Sequence, residues 1–319
     1  MNRSLEAVFK YKGEAPVDVI ISQDDDEAPM TEYLSSLKGR YPISHIQHKD
    51  RIAPTIKQGE LVGYYYISQH YKFALEHAFS QGYEFVIILE EDIEIAPDFF
   101  PYFFKLKEVL ELDPTVFCIS AWNDNGRPGL VSDAEQLYRT DFFPGLGWMM
   151  KRSFWEEVKN NWPAGYWDDW LREPQQRKGR VCIYPEVSRT YTFGLKDGTS
   201  QGQFADKYLK PIILNQVNVP WMQKDVSYLL KQNYDPIFLK FVKNAKPVAP
   251  EEISNFQDTD LLVEYKKGDH VRSCDTFEIM NDEKVGVLRT SYMDVVIFRR
   301  NSNRIFLAPT GFQNEISLK

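Results

Sequence analysis

The chain has 319 residues, enough for one large α/β domain with its own core and a smaller appendage. Its formal net charge of −8 argues against a nucleic-acid-binding protein, because such a protein needs a basic face to displace counterions from phosphates. No apolar run approaches the roughly 18 residues that span a bilayer, and the first residues lack the layout of a signal peptide. We therefore expect a soluble chain, with no membrane anchor in the sequence as given.

Strands and helices alternate in the first half of the sequence. An apolar run at residues 17–22 predicts a buried strand that ends in the polar residues 23–26, and a helical pattern follows from Gly63. Residues 85–89 give the clearest strand pattern, and another helix is expected to open near residues 97–98, where proline suits the first turn. This alternation predicts an α/β fold with a mostly parallel sheet and ligands at the carboxyl ends of its strands.

The composition changes near residue 225, and we predict a domain boundary there. Residues 1–225 would form the main α/β domain, and residues 226–319 would form a small strand-rich domain. The strands predicted in the second domain cover residues 261–265, 285–289, 294–299 and 305–307, with a turn at residues 301–303.

Three consecutive carboxylates, Glu90, Glu91 and Asp92, follow the clearest strand. Like charges repel, and a strand end inside an α/β domain is only partly solvated, so this triplet is costly unless something neutralises it. A hard divalent cation bound together with phosphate oxygens is the usual solution in nucleotide-binding sites. A solvated acidic turn is the alternative, and the sequence pattern alone does not decide between them.

A second cluster lies in the aromatic and acidic run at residues 166–170. Its indole rings suit the faces of a sugar, and Asp168 or Asp169 could reach a sugar hydroxyl. One of these aspartates could instead cap the helix that starts here. Farther upstream, His70 falls on a helical face with aromatic neighbours, where a structural histidine is the ordinary interpretation.

Residues 194–203 are rich in glycine and hydroxyl side chains, which predicts a loop that could cover a ligand, although it matches no P-loop pattern. The only cysteines are Cys118, Cys182 and Cys274, which are too few and too dispersed for a zinc site of the CxxC type. One disulfide with one free thiol and three reduced thiols are both compatible with this count.

Seven blocks of the sequence are long and specific: EEDIEIAPDFF at 90–100, CISAWNDNG at 118–126, LYRTDFFPGLGW at 137–148, WDDW at 167–170, RVC at 180–182, PEVSRT at 185–190 and SQGQF at 200–204. In these blocks the sequence resembles the alpha-1,3-mannosyl-glycoprotein 2-beta-N-acetylglucosaminyltransferase family (N-acetylglucosaminyltransferase I). The resemblance is strong over about residues 17–230 and weaker beyond them.

The resemblance implies a GT-A fold, UDP-GlcNAc as donor, Mn²⁺ as the metal and inversion at the anomeric carbon. The acceptor would be a terminal mannose of a protein-linked glycan. An N-linked mannose is favoured by the blocks at residues 140–143 and 200–204, and an O-linked mannose is the alternative. An inactive lectin-like relative and a glycoside hydrolase with paired carboxylates remain as other classes.

Carried over by motif, the nucleotide side of the site would use five residues. Asp92 would be the direct Mn²⁺ ligand, and Glu91 would bind the ribose, at a position where the family usually has Asp. Asp24 and His70 would contact the uridine. Ser200 would contact the diphosphate from the loop that closes over the donor.

On the sugar side, the resemblance assigns Asp168 as the general base, with Leu146 and Trp167 shaping the GlcNAc pocket. The two matched blocks that contain Cys118 and Cys182 imply a disulfide between them, with Cys274 left as a free thiol. A disulfide would place the protein in an oxidising lumen.

Two features depart from the family pattern. Family members begin the catalytic domain with a strand whose arginine helps to bind the nucleotide, whereas this sequence starts with Met1, Asn2 and Arg3, inside or just before the first helix. The resemblance therefore implies that the first strand is missing here. Family members are also Golgi proteins with a membrane anchor, so we expect a Golgi lumen location although this chain shows no anchor.

Overall fold

A computed structural model describes residues 1–194, 202, 204–266 and 268–317. The helices of this part are α1 (Asn2–Lys12), α2 (Ala28–Leu37), α3 (Val62–Ser80), α4 (Phe99–Leu112), α5 (Arg152–Val158), α6 (Trp167–Arg172), α7 (Pro174–Arg177), α8 (Lys231–Asn244), α9 (His270–Phe277) and α10 (Phe312–Ser317).

The strands of the described residues divide between the two parts of the sequence. Those before residue 225 are β1 (Val19–Asp24), β2 (Ile43–His48), β3 (Phe85–Ile88), β4 (Ile93–Ile95), β5 (Val116–Ser120), β6 (Leu137–Thr140), β7 (Trp148–Lys151), β8 (Val181–Pro185) and β9 (Thr190–Thr192). Those after it are β10 (Lys246–Pro247), β11 (Asp260–Tyr265), β12 (Glu283–Lys284), β13 (Val287–Leu288), β14 (Val296–Arg300) and β15 (Asn303–Pro309).

The α/β class is confirmed, but the mostly parallel sheet is wrong for the central sheet. Its five strands lie in the order β3-β7-β5-β8-β6, and of the four neighbouring pairs only β5 and β8 pair in parallel. The strands β6 and β7 follow β5 without an intervening helix, whereas parallel neighbours need a crossover connection that is usually a helix. A parallel strand–helix–strand unit does occur at β1 and β2, which form a separate two-stranded sheet around α2. The finer GT-A arrangement stays a prediction.

Every residue of β5 and β8 is buried, which explains why the run around Cys118 reads as continuously apolar rather than alternating. The helix α4 packs its aromatic face against the same core, where Phe99, Phe103 and Leu106 are completely buried. The strand β4, which the sequence pattern did not predict, follows the acidic triplet and pairs antiparallel with β9.

In the C-terminal part, a parallel pair, β11 and β15, continues into an antiparallel pair, β15 and β14. The turn between β14 and β15 is confirmed, since Asn301 and Ser302 have φ of 49° and 63°. The strand predicted at residues 285–289 is instead a tight hairpin of β12 and β13. The largest core includes Phe99, Trp221 and Phe306 from both sides of residue 225. The boundary at that residue stays a prediction.

The disulfide between Cys118 and Cys182 is present, and Cys274 is free and buried. The disulfide joins the neighbouring strands β5 and β8, in which Cys118 and Cys182 lie directly opposite each other. Separately, no helix in the described part of the chain is long and apolar enough to cross a membrane.

We predict that unfolded, unreduced protein has one reactive thiol, that of Cys274. The disulfide closes a loop with a sequence separation of 64 residues. In the chain-entropy model, a disulfide that closes a loop of this length stabilises the fold by about 4 kcal/mol. The free energy of unfolding of the Cys118→Ala, Cys182→Ala double variant should therefore be lower by a comparable amount. Thiol titration and urea unfolding measure both quantities, and three reactive thiols in the wild type would refute the bridge.

Candidate functional site

The acidic triplet connects the end of β3 to the start of β4, and neighbouring elements hold its backbone. Ser4 on α1 donates its hydroxyl to the Glu91 carbonyl oxygen at 2.6 Å, and the Phe193 amide donates to the Asp92 carbonyl oxygen at 2.9 Å. The Asp92 carboxylate accepts the Thr192 hydroxyl, at the end of β9, at 3.2 Å. The β4–β9 pairing therefore fixes the position of Asp92.

The triplet concentrates negative charge that the protein itself leaves unbalanced. In the described part of the chain, none of the three carboxylates forms an ion pair with a Lys or Arg side chain. Burial, and then repulsion from Glu91, raises the pKa of Asp92. Burial also raises the pKa of Glu90 to about 7, against the hydrogen bond from Tyr71, and Asp92 adds to this increase. Such a cluster suits a cation better than it suits solvent alone.

The residues that could hold this cation are few. No group of three or more His, Cys, Asp or Glu side chains converges as a metal site among the described residues. Asp92 could therefore supply one oxygen ligand, with the remaining ligands coming from phosphate and water, as is usual for Mg²⁺-like ions bound with a nucleotide. These oxygen ligands fit a metal ion that is held jointly by the protein and a substrate.

Gly194 lies directly against the Asp92 carboxylate. A Cβ atom at this position would stand 2.0 Å from Asp92 Oδ2 and 2.8 Å from its Cβ. Both values are below any real van der Waals contact, so only glycine leaves Asp92 where it is. Sequence reasoning placed Gly194 in a loop but missed this contact, because nothing in the local pattern shows which side chain approaches it.

The predicted uridine contacts meet at the end of β1. Asp24, its last residue, accepts two hydrogen bonds from Arg51, at 3.1 and 2.7 Å, and lies 3.1 Å from His48 Nδ1. His70 on α3 has its Nε2 atom 2.7 Å from Ser22 Oγ, and burial lowers its pKa, which favours a neutral ring. Arg51 was missed because it lies in an irregular segment with no recognisable pattern.

Aromatic packing joins α6 to the triplet. The rings of Trp167 and Tyr71 stack with centroids 4.2 Å apart, and the Tyr71 hydroxyl donates to Glu90 Oε1 at 2.7 Å. Trp167 is only 7% exposed. Its ring could therefore form the floor of a sugar pocket, but little of the ring is accessible for stacking on the face of a sugar. The roles of Tyr71 and Glu90 were missed because they depend on this contact between distant segments.

Leu146 lies in a strained turn before β7. Its φ is 48°, and the glycines on either side, Gly145 and Gly147, have φ of 71° and 90°. The Leu146 carbonyl accepts the Thr190 hydroxyl at 2.7 Å, which fixes the turn to β9. A left-handed residue other than glycine costs roughly 1–2 kcal/mol, and such strain concentrates at functional sites. This position is compatible with the predicted pocket role, which stays a prediction.

The capping alternative for Asp168 and Asp169 is wrong. The residue before the helix is Tyr166, with φ of 53°, and no side chain caps α6. Both aspartates lie in the first turn and accept hydrogen bonds from Nη1 of Arg172, at 2.9 Å for Asp168 and 2.8 Å for Asp169. Both aspartates can reach Arg172 because residues three and four positions apart lie on the same face of a helix.

Arg3, on α1, forms an ion pair with Glu94, and its guanidinium lies 4.7 Å from the centroid of the Phe193 ring. Ser200 and most of the loop at residues 194–203 lie outside the described residues, and the role of Ser200 stays a prediction.

Comparison with known proteins decides the family. The model of the GNT-I family matches residues 1–317. The chain belongs to the GNT-I family. A protein of this kind from Arabidopsis thaliana, named alpha-1,3-mannosyl-glycoprotein 2-beta-N-acetylglucosaminyltransferase, is 43% identical to it over 320 residues. The match covers 96% of this chain and 70% of the relative. The triplet, α6 and the β4–β9 pair of this GNT-I chain all fall within the matched region.

We predict that Gly194→Ala displaces the Asp92 carboxylate. The added methyl group would lower the free energy of unfolding by roughly 1–3 kcal/mol, as overpacking does in other proteins, and would weaken any function that depends on Asp92. Gly39→Ala is the matched control, because a Cβ at Gly39 meets nothing within 4 Å. Urea unfolding of both variants tests this. Equal stabilities for the two variants would contradict the close approach.

Proposed function

We propose that this chain is an inverting, metal-dependent glycosyltransferase. It transfers N-acetylglucosamine from UDP-GlcNAc to the 2-hydroxyl of an α-linked mannose on an N-glycan. The observation that carries the proposal is the family match along residues 1–317, together with the activity for which the 43% identical relative is named. The site adds support, because the triplet suits a metal with a diphosphate and α6 presents a carboxylate beside it.

The nucleotide would bind between the end of β1 and the triplet. His70, neutral because burial lowers its pKa, offers one hydrogen-bond donor or acceptor to a base, and Glu91 is the exposed member of the triplet, available to ribose hydroxyls. Asp92 would hold Mn²⁺. When bound there, Mn²⁺ would neutralise the negative charge that develops on the leaving diphosphate.

Asp168 would act as the general base for the acceptor. One of its oxygens is held by Arg172, which leaves the carboxylate in a fixed orientation, and its side chain is about one-third exposed. A neutral alcohol is a poor nucleophile, so removal of the proton from the mannose 2-hydroxyl accelerates attack on the anomeric carbon. A positioned base of this kind contributes about 10²–10⁴ in rate.

We also propose a location in the Golgi lumen. The disulfide between Cys118 and Cys182 supports it, because such bonds persist in oxidising compartments and are rare in the cytosol. Glycan processing in the secretory pathway agrees with the named activity of the relative.

Asp92→Ala is expected to abolish transfer and to weaken UDP-GlcNAc binding at the same time, because the metal joins the protein to the diphosphate. Isothermal calorimetry with and without Mn²⁺ measures the donor affinity. Glu94→Ala is the matched control, since Glu94 lies two residues farther on and pairs with Arg3 instead. Unchanged donor affinity in the Asp92 variant would contradict the assignment of Asp92 as the metal ligand.

Asp168→Asn separates chemistry from binding. Asparagine keeps the shape of aspartate but cannot accept a proton at neutral pH. We expect kcat to fall by about 10²-fold or more, with donor affinity close to that of the wild type. Asp169→Asn is the control on the same turn, and its kcat should stay within about fivefold of the wild type, because Asp169 is committed to ion pairs. Near-normal turnover of a folded Asp168 variant would eliminate Asp168 as the base.

A further inference from the structure

The aspartate pair of α6 is tied to a segment of the C-terminal part of the chain. Lys284 Nζ lies 2.6 Å from Asp169 Oδ2. Lys284 ends β12, and the hairpin of β12 and β13 turns back through Val285 and Gly286, whose φ values are 49° and 76°. Two left-handed residues make the tight turn that suits a two-residue hairpin.

The two neighbouring aspartates differ in how many of their carboxylate oxygens have a partner. Asp169 has both oxygens paired, one with Arg172 and one with Lys284, and although burial raises its pKa, these cations leave the pKa below its usual value. Asp168 has one oxygen bonded to Arg172, and within the described residues its Oδ1 atom accepts no hydrogen bond. The hairpin thus contacts the aspartate next to the one that is free to meet a substrate.

The root of the hairpin is also fixed to the main part of the chain. Arg289, just after β13, pairs with Asp282 at 2.9 Å and with the buried Asp124 at 3.1 Å. On the other flank, Glu283 lies 3.1 Å from His270 on α9. The root and the tip of the hairpin are therefore held by separate contacts. At the tip, the Lys284–Asp169 ion pair holds the hairpin next to α6.

The tip itself carries an unusual residue. Val285 is β-branched, which makes a positive φ a genuine outlier, and the residue is 60% exposed. Strain combined with an exposed apolar side chain has no evident benefit for folding, and strained residues of this kind cluster at binding sites. A valine methyl surface beside a lysine is suited to the mixed apolar and hydroxylated face of a hexose.

Asp168 lies in a helical turn whose other residues contact both the triplet side and the hairpin. The triplet, linked through Glu90, Tyr71 and Trp167, lies on the side assigned to the donor. Through its neighbour Asp169, the hairpin lies against the same helical turn. A hydroxyl that must reach Asp168 while the donor occupies the triplet side would approach along the hairpin.

We propose that the hairpin of Glu283–Lys284 and Val287–Leu288 forms a wall of the acceptor site, and that the Lys284–Asp169 ion pair sets its position. This inference rests on the proposed function, since it names the element that binds the mannose-terminated acceptor. Lys284 is a positioning residue, and Val285 is the residue that contacts the glycan.

The test is steady-state kinetics with UDP-GlcNAc and a mannose-terminated glycan, using Lys284→Met. Methionine keeps the length of the side chain and removes the charge. The acceptor KM should rise roughly fivefold or more, as expected for loss of a charged hydrogen bond, while kcat and the donor affinity stay within about twofold of the wild type. Lys284→Arg should restore an acceptor KM near that of the wild type.

Lys224→Met is the matched control, because the Lys224–Glu135 pair has the same 2.6 Å separation and joins other segments. A second variant, Val285→Asn, places a residue that tolerates positive φ at the tip and removes the apolar contact. It should keep the thermal stability of the wild type and raise the acceptor KM.

Three results are decisive for the inference. An unchanged acceptor KM in both Lys284→Met and Val285→Asn would overturn it, and so would a fall in kcat at constant KM, which would mean that Lys284 acts on the base. A rise of the same size in the Lys224 control would also overturn it. If the wild type itself transfers no GlcNAc to mannose, the proposed function fails first, and direct binding of the glycan to wild type and variants then tests the hairpin alone.

Discussion

The concentration of negative charge at the end of β3 is the constraint on which the rest of the site depends. Glu90, Glu91 and Asp92 form no ion pair with Lys or Arg in the described part of the chain, and the pKa values of Glu90 and Asp92 are raised as a result of burial and mutual repulsion. A protein that needed only stability would place a cation here, since unpaired buried carboxylates lower the free energy of unfolding. Under the proposed function, a divalent ion bound with a diphosphate would restore neutrality, and the triplet would be most stable with the donor present.

The surrounding fold holds this charge in place. The β4–β9 pair positions Asp92, and Gly194 leaves room for its carboxylate. The stacked rings of Tyr71 and Trp167 then connect Glu90 to α6, which presents Asp168. The triplet and Asp168 are thus joined through aromatic packing, which resists displacement because buried side chains pack at near-crystalline density. Under the proposed function, one helical turn would serve both substrates.

The sequence predicted the elements whose pattern is local. The strand before the triplet, the helix from Val62 and the turn at Asn301 appear in the structure near their predicted positions, because periodicity and turn residues determine them directly. Pairing between distant segments was not predictable in the same way. The antiparallel neighbours of β7, the Arg51–Asp24 pair and the Lys284–Asp169 pair depend on contacts for which a single sequence gives no signal. The disulfide followed from the family resemblance, not from cysteine spacing.

The central claim is that the chain joins GlcNAc to the 2-position of mannose with inversion. The most direct measurement is nuclear magnetic resonance of the product formed by the wild-type protein from UDP-GlcNAc and a mannose-terminated N-glycan in the presence of Mn²⁺. The account predicts a new β-linked GlcNAc on the mannose 2-oxygen and equimolar UDP. Release of free GlcNAc without a new linkage, an α-linked product, or a linkage at another mannose oxygen would contradict it.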